Sequence, residues 1–222
     1  MGAGTRRWER EALDSSVDAV YISTMRTLVC CLILAASLLA PQVRAEPTAP
    51  DFTLHDLDGG TVKLADLRGK VVVLEWFNPE CPFVQRSHTE GSLVGLSKRQ
   101  AAKGVVWYAI NSGAPGKQGS GAETNRKGQQ TLHVDNPILL DETGVVGKAY
   151  GATNTPHMFV IDAAGNLVYS GAIDNSPDGE GKSPEGGTLV NYVEQALDDV
   201  AAKRPVRTPK TKAYGCSVKY GS

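Results

Sequence analysis

The chain reads as an α/β protein built on a mixed sheet covered by helices on both faces, and three observations lead there. Residues 71–77 and 105–110 are apolar runs without alternation, the pattern of strands buried on both sides. A helical stretch separates them. Two further runs, 157–162 and 166–171, flank the tight turn Ala163-Ala164-Gly165, which implies an antiparallel hairpin.

The 222 residues are 41% hydrophobic and 21% charged, ordinary values for a globular protein. From Met25 the chain shows one basic residue, an uncharged run over 28–40 (LVCCLILAASLLA) and the ending Val43-Arg44-Ala45. These are the three parts of a secretory signal. As a helix the run would rise only about 20 Å, too short to span a bilayer. Residues 1–24 carry four acids that suit no such signal, so Met25 is expected to be the true start and 1–24 a mis-annotated extension. The expected division is 25–45 signal peptide, 46–205 one domain, and 206–222 a flexible tail. Residues 1–45 hold five of the 23 basic and four of the 24 acidic residues, so the exported chain has a charge near −2. That excludes a polyanion-binding surface, and nucleic acid with it. The expected location is the periplasm or outside the cell, without stable membrane insertion after cleavage. Cleavage also removes Cys30 and Cys31, leaving Cys81 and Cys216 in a compartment where disulfides persist.

In chain order, a short strand at 49–54 turns at Asp58-Gly59-Gly60 into a return at 61–64, a hairpin-like N-terminal extension. The buried strand 71–77 follows. Residues 78–82 form a loop and 84–103 a helix, with Leu93, Leu96 and Ala101 on its apolar stripe. After the strand 105–110, the glycine-rich loop 113–121 lacks the spacing of a phosphate cradle. A helix at 123–133, a short strand at 137–140 and a helical turn at 145–150 come next. The terminal hairpin and a helix over 189–203 complete the domain, with Leu189, Val193, Leu197 and Val200 recurring at helical spacing.

Cys81 lies between a buried strand and a helix start. There its sulfur meets unpaired backbone N–H groups and the positive end of the helix dipole, which favours thiolate. Pro82 suits the first helical turn. A strand-end loop is also a poor place to bury a side chain, so the thiol is expected to be reachable.

Three segments, Ala49-Pro50-Asp51-Phe52, the run from Lys70 to Phe77 leading to Cys81-Pro82, and Asn154-Thr155-Pro156, resemble the thioredoxin-like redoxins. That group includes the alkyl hydroperoxide reductase/thiol-specific antioxidant proteins and the reductases of exported proteins. The resemblance spans about residues 49–203. It implies a thioredoxin fold, with Thr155-Pro156 as a cis-proline loop whose backbone pairs with an extended substrate. It implies that Glu75 is a buried acid able to move protons during exchange, unless a partner charge makes it structural. His157, next to the loop, reads as a hydrogen-bonded surface group.

The motif Cys81-Pro82-Phe83-Val84 lacks the second cysteine of thioredoxins. The peroxiredoxin signature Pro-x-x-x-Thr-x-x-Cys is absent too, since Leu74 and Asn78 stand in its Pro and Thr places. The match is to a peroxiredoxin-like branch with a single motif cysteine. Cys216 is the remaining candidate to resolve Cys81. It could instead close a permanent clip, stabilising by about 4–5 kcal/mol in the chain-entropy model, or bond another protein. The expected activity is thiol–disulfide exchange with protein thiols or disulfides and a reducing partner. The alternatives are a thiol peroxidase acting on hydroperoxide and a non-catalytic binding module. No cofactor and no metal is expected, because a copper carrier would need paired cysteines.

Overall fold

The computed structural model describes residues 47–221 apart from 178, 180, 183, 185 and 186. The expected extension 1–24, the signal 25–45, and Cys30 and Cys31 lie outside the described residues. Among the described residues no helix is long and apolar enough to cross a membrane, and no group of three or more His, Cys, Asp or Glu side chains could hold a metal ion.

The strands are β1 (Thr53–Asp56), β2 (Thr61–Lys63), β3 (Val72–Trp76), β4 (Val106–Asn111), β5 (Ile138–Leu140), β6 (Asn154–Thr155), β7 (His157–Ile161), β8 (Leu167–Gly171) and β9 (Cys216–Ser217). Seven of them form one mixed sheet in the order β2-β1-β5-β4-β3-β7-β8. β3 runs parallel to β4 and antiparallel to β7. The helices are α1 (Pro82–Thr89), α2 (Leu96–Ala101), α3 (Ala122–Thr131), α4 (Val145–Tyr150) and α5 (Tyr192–Ala201), with a 3-10 turn at Leu64–Leu67.

This is the thioredoxin fold with an N-terminal hairpin. β3 is central because every one of its residues is buried, and its two-residue alternation divides the core. Leu74 and Trp76 pack with Phe52, Tyr150 and Phe159 on one face. Val73 points to the other, among Leu96, Met158, Val193 and Leu197. Phe77, Cys81, Val84 and Leu132 continue the core around the start of α1. Burying one such aliphatic or aromatic side chain contributes about 1.5–3 kcal/mol.

Three elements differ from expectation. The helix over 84–103 is broken into α1 and α2. A Cβ at Gly91 would stand 2.5 Å from the Gly179 carbonyl oxygen, and Gly95 has φ 62°, so the glycines let Gly179 and Gly181 close in and the chain turn. The break leaves Leu93 and Leu96 buried but turns Ala101 outward. α5 starts at Tyr192, because the Asn191 side chain accepts the Glu194 N–H at 3.0 Å and caps it there; Leu189 precedes the helix.

The third difference concerns residues 204–221, which lie along the domain and do not extend free of it. Buried Asp199 binds Arg204 and Arg207 at 2.6 and 2.7 Å. Thr211 donates its N–H to Ser170 O at 3.1 Å and accepts the Ala172 N–H at 2.9 Å. Tyr220 donates its hydroxyl to Ala152 O at 2.8 Å. β9 pairs with β6 as a separate two-stranded ladder.

Candidate active site

Cys81 is the N-cap of α1, with Pro82 in the first turn. Its backbone is fixed on both sides: its N–H donates to Asn78 O, and its carbonyl accepts the first helical bond from Gln85, each at 3.0 Å. Thr155-Pro156 is a cis peptide, as expected. It places the Thr155 carbonyl 3.0 Å from Cys81 Sγ, which donates to it as a thiol. The buried Thr155 hydroxyl lies beside the sulfur and donates to it once the proton leaves.

Cys216 completes the group. It stands opposite Thr155 in the antiparallel β6–β9 register, and its thiol is within hydrogen-bonding reach of Cys81. Neither cysteine is in a disulfide. The reachable thiol expected at position 81 is instead 0% exposed, because the chain's own β9 lies over it.

The two sulfurs differ in charge preference. Burial pushes the Cys81 thiol up, but hydrogen bonds from the Cys216 thiol, the Val84 N–H and the Thr155 hydroxyl outweigh it. The net result lies below the ordinary thiol value. Cys216 is pushed up to about 11, first by burial and then by its hydrogen bond to Cys81 and the charge there. Lys219 and Arg86 oppose the rise. Of the two sulfurs, Cys81 is therefore the more readily ionised.

Glu75, on β3, is bound by α1. Its Oε1 lies 2.8 Å from His88 Nε2, and its Oε2 is buried without a partner. His88 follows Cys81 by seven residues, roughly 10 Å along the helix. A histidine on α1 thus holds one oxygen of Glu75 and leaves the other open. Sequence reasoning passed over His88, although it falls four residues after buried Val84 on the same helix face. Phe77 packs its ring against the imidazole at 5.9 Å.

His157 is buried, contrary to the surface position expected of it. Its Nδ1 accepts the Thr153 N–H and its Nε2 bonds Ser170 Oγ, so the ring is neutral. Burial and then Lys210 push it down to about 4. It ties Thr153 of the proline loop to Ser170 of β8. Tyr214 was also missed: its hydroxyl donates to buried Asp174 at 3.1 Å, and its ring packs on Phe83.

A thioredoxin fold with a cysteine at a helix start facing a cis-proline loop is the architecture of thiol-redox proteins. The Redoxin family model matches residues 44–186, and the chain belongs to that family. It is similar to the thiol-disulfide oxidoreductase ResA of Geobacillus thermodenitrificans, at 32% identity over 154 residues that cover 64% of this chain and 83% of that one. ResA of Halalkalibacterium halodurans is 32% identical over 127 residues, 56% and 66% of the two chains. Among solved structures, a hypothetical protein from Sinorhizobium meliloti superposes with a TM-score of 0.68 at 26% identity, covering 82% of this chain and 97% of that one. An uncharacterized conserved protein from Geobacillus kaustophilus gives 0.67 at 31% identity, covering 82% and 94%.

Proposed function

We propose that this redoxin is a thiol–disulfide oxidoreductase in which Cys81 attacks and Cys216 resolves. The observation that carries the reading is the pairing of Cys216 opposite Thr155, which brings the second thiol to the first. The Cys81 thiolate attacks a protein disulfide, the S–S bond breaks, and one substrate sulfur leaves as a thiolate. Cys216 then loses its proton and attacks Cys81. The Cys81–substrate bond breaks, and the second substrate thiolate leaves and takes up a proton. The substrate disulfide has been reduced to two thiols, and Cys81 and Cys216 have been oxidised to a disulfide. A dithiol reductant resets the pair by the reverse exchange.

The asymmetry suits each role. A low-pKa sulfur is ionised for attack and leaves readily, while a high-pKa sulfur is the stronger nucleophile once ionised. When Cys81 enters a mixed disulfide, the hydrogen bond and charge that raise Cys216 vanish. Resolution is thus released by the step that precedes it.

Within the family we place the chain in the peroxiredoxin-like branch that keeps one motif cysteine. Where thioredoxins have their second cysteine stands Val84, a fully buried core residue, and the tail supplies the sulfur instead. Thr155 and Pro156 form the substrate platform, and Pro82 sets the helix start beneath it. Glu75 receives the exchange proton through Oε2, with Oε1 held by His88. Glu75→Gln keeps an acceptor for His88 but removes the charge, so resolution should slow about 100-fold. Unchanged resolution in that variant would make the residue purely structural. The signal-like segment 25–45 supports action outside the cytoplasm, which cell fractionation would test.

The reading predicts the pH profile of alkylation. Rates at Cys81 should follow a midpoint below that of free cysteine, because its folded-state pKa is lowered, and should persist as pH falls into the range where an ordinary thiol is protonated. Rates at Cys216 should rise only toward about pH 11. Iodoacetamide labelling read by peptide mass spectrometry checks both. A Cys81 midpoint at or above the free value contradicts the assignment.

A further inference from the structure

We infer that residues 214–218 are a resident stand-in for substrate, which must leave the Thr155 platform before a protein disulfide can bind and whose return expels the product. The inference rests on the reading of Cys81 as nucleophile and adds to it a gate and a sequence requirement.

Several independent contacts carry it. The backbone edge that would receive an extended substrate is already taken. Cys216 pairs with Thr155 and Ser217 with Asn154, the Val218 N–H donates to Thr153 O at 3.1 Å, and the Asn154 side-chain amide donates to Gly215 O at 2.9 Å. Edge hydrogen bonds of this kind serve one strand at a time. An incoming peptide and the tail therefore exclude each other. The sulfur beneath is fully buried while the tail is docked, so a protein disulfide cannot reach it.

The residue before the cysteine is specified. Gly215 has φ +105°, and a Cβ there would stand 2.2 Å from the Thr155 carbonyl oxygen and 3.2 Å from Pro156 Cδ. Backbone and a proline ring cannot give way as a flexible side chain would. The same platform should therefore favour substrate cysteines preceded by glycine. The anchor upstream is separate from this segment: Asp199 with Arg204 and Arg207, and Thr211 on Ser170, hold 204–211 to the domain without the platform. The segment lifts by releasing Tyr214 from Asp174, Lys219 from Ala114 and Tyr220 from Ala152, while 204–211 stay attached.

Substitution Gly215→Ala in the full-length protein tests the gate, because it keeps both sulfurs and the anchor. Cys81 alkylation should rise about tenfold or more, since a left-handed backbone with a blocked Cβ disfavours docking. Adding the peptide of residues 212–221 with Ser in place of Cys216 should restore protection, and the same peptide with Ala in place of Gly215 should not. Labelling at the wild-type rate, or no protection by the first peptide, overturns the gate. Either can occur while the reduced protein still forms a mixed disulfide with a protein disulfide, so the redox reading would survive. Conversely, faster alkylation of Gly215→Ala with no disulfide exchange at all would keep the gate and sink the redox reading.

Discussion

Cys81→Ser should abolish reduction of a protein disulfide, with turnover falling to the uncatalysed background. Serine keeps the hydrogen bond to the Thr155 carbonyl and fits the same buried space, so the fold should be unchanged by circular dichroism and thermal unfolding. What it lacks is an ionisable sulfur. The hydroxyl is not acidic enough for the Val84 N–H and the Thr155 hydroxyl to create an anion, and no S–S bond can form. Hydroperoxide consumption should be measured with the same variant. If peroxide removal depends on Cys81 while disulfide reduction does not, the peroxidase alternative replaces the oxidoreductase. If Cys81→Ser retains partner binding and the cellular phenotype, the domain is a binding module and its chemistry is incidental.

Cys216→Ser should stop the reaction at its midpoint. Attack by Cys81 remains, because its helix-start environment is intact, although it loses the thiol that helps to hold its charge. Some slowing of attack is expected for that reason. Resolution has no other source: Cys81 and Cys216 are the two cysteines of the described domain, and Val84 fills the usual neighbour's place. A covalent adduct between Cys81 and one substrate chain should therefore accumulate, visible on non-reducing gels and lost with a dithiol reductant. Steady-state turnover should fall by at least about 100-fold. Sustained turnover in this variant would mean that an external thiol resolves Cys81, and that the tail's sulfur serves some other purpose.

Much of the architecture was legible in the sequence, for reasons that particular residues show. The run 71–77 has no polar alternation because β3 is covered on both faces, and the same holds for β4. The 163–165 turn between two apolar runs could only join antiparallel neighbours. Cys81-Pro82 after a buried strand marked a helix start, and Thr155-Pro156 before another strand marked the loop facing it. Thr155, Pro156, Pro82, Cys81 and Cys216 are all brought together.

What escaped sequence reading lacks a periodic signal. β9 is two residues long, and its docking depends on backbone hydrogen bonds and on the missing side chain at Gly215. A polar, proline-rich composition conceals such a strand, so the tail read as free and Cys81 as open. The helix break at 90–95 depends on the approach of Gly179 and Gly181, a tertiary contact that no local propensity encodes. His88 carries no motif that singles it out. Only its helix face, shared with Val84, turns it toward Glu75. His157 is polar and so suits a surface, but it is buried by stacking on Phe159 at 4.4 Å within an apolar strand.

The claim on which the account depends is that Cys81 and Cys216 are one redox couple. Reduced full-length protein should be mixed anaerobically with a stoichiometric protein disulfide, quenched in acid, and digested without reduction for mass spectrometry. The account predicts a peptide pair joined through Cys81 and Cys216, formed in step with two new thiols on the substrate. A substrate reduced while both cysteines remain free, or oxidation of Cys81 that never reaches Cys216, would contradict it.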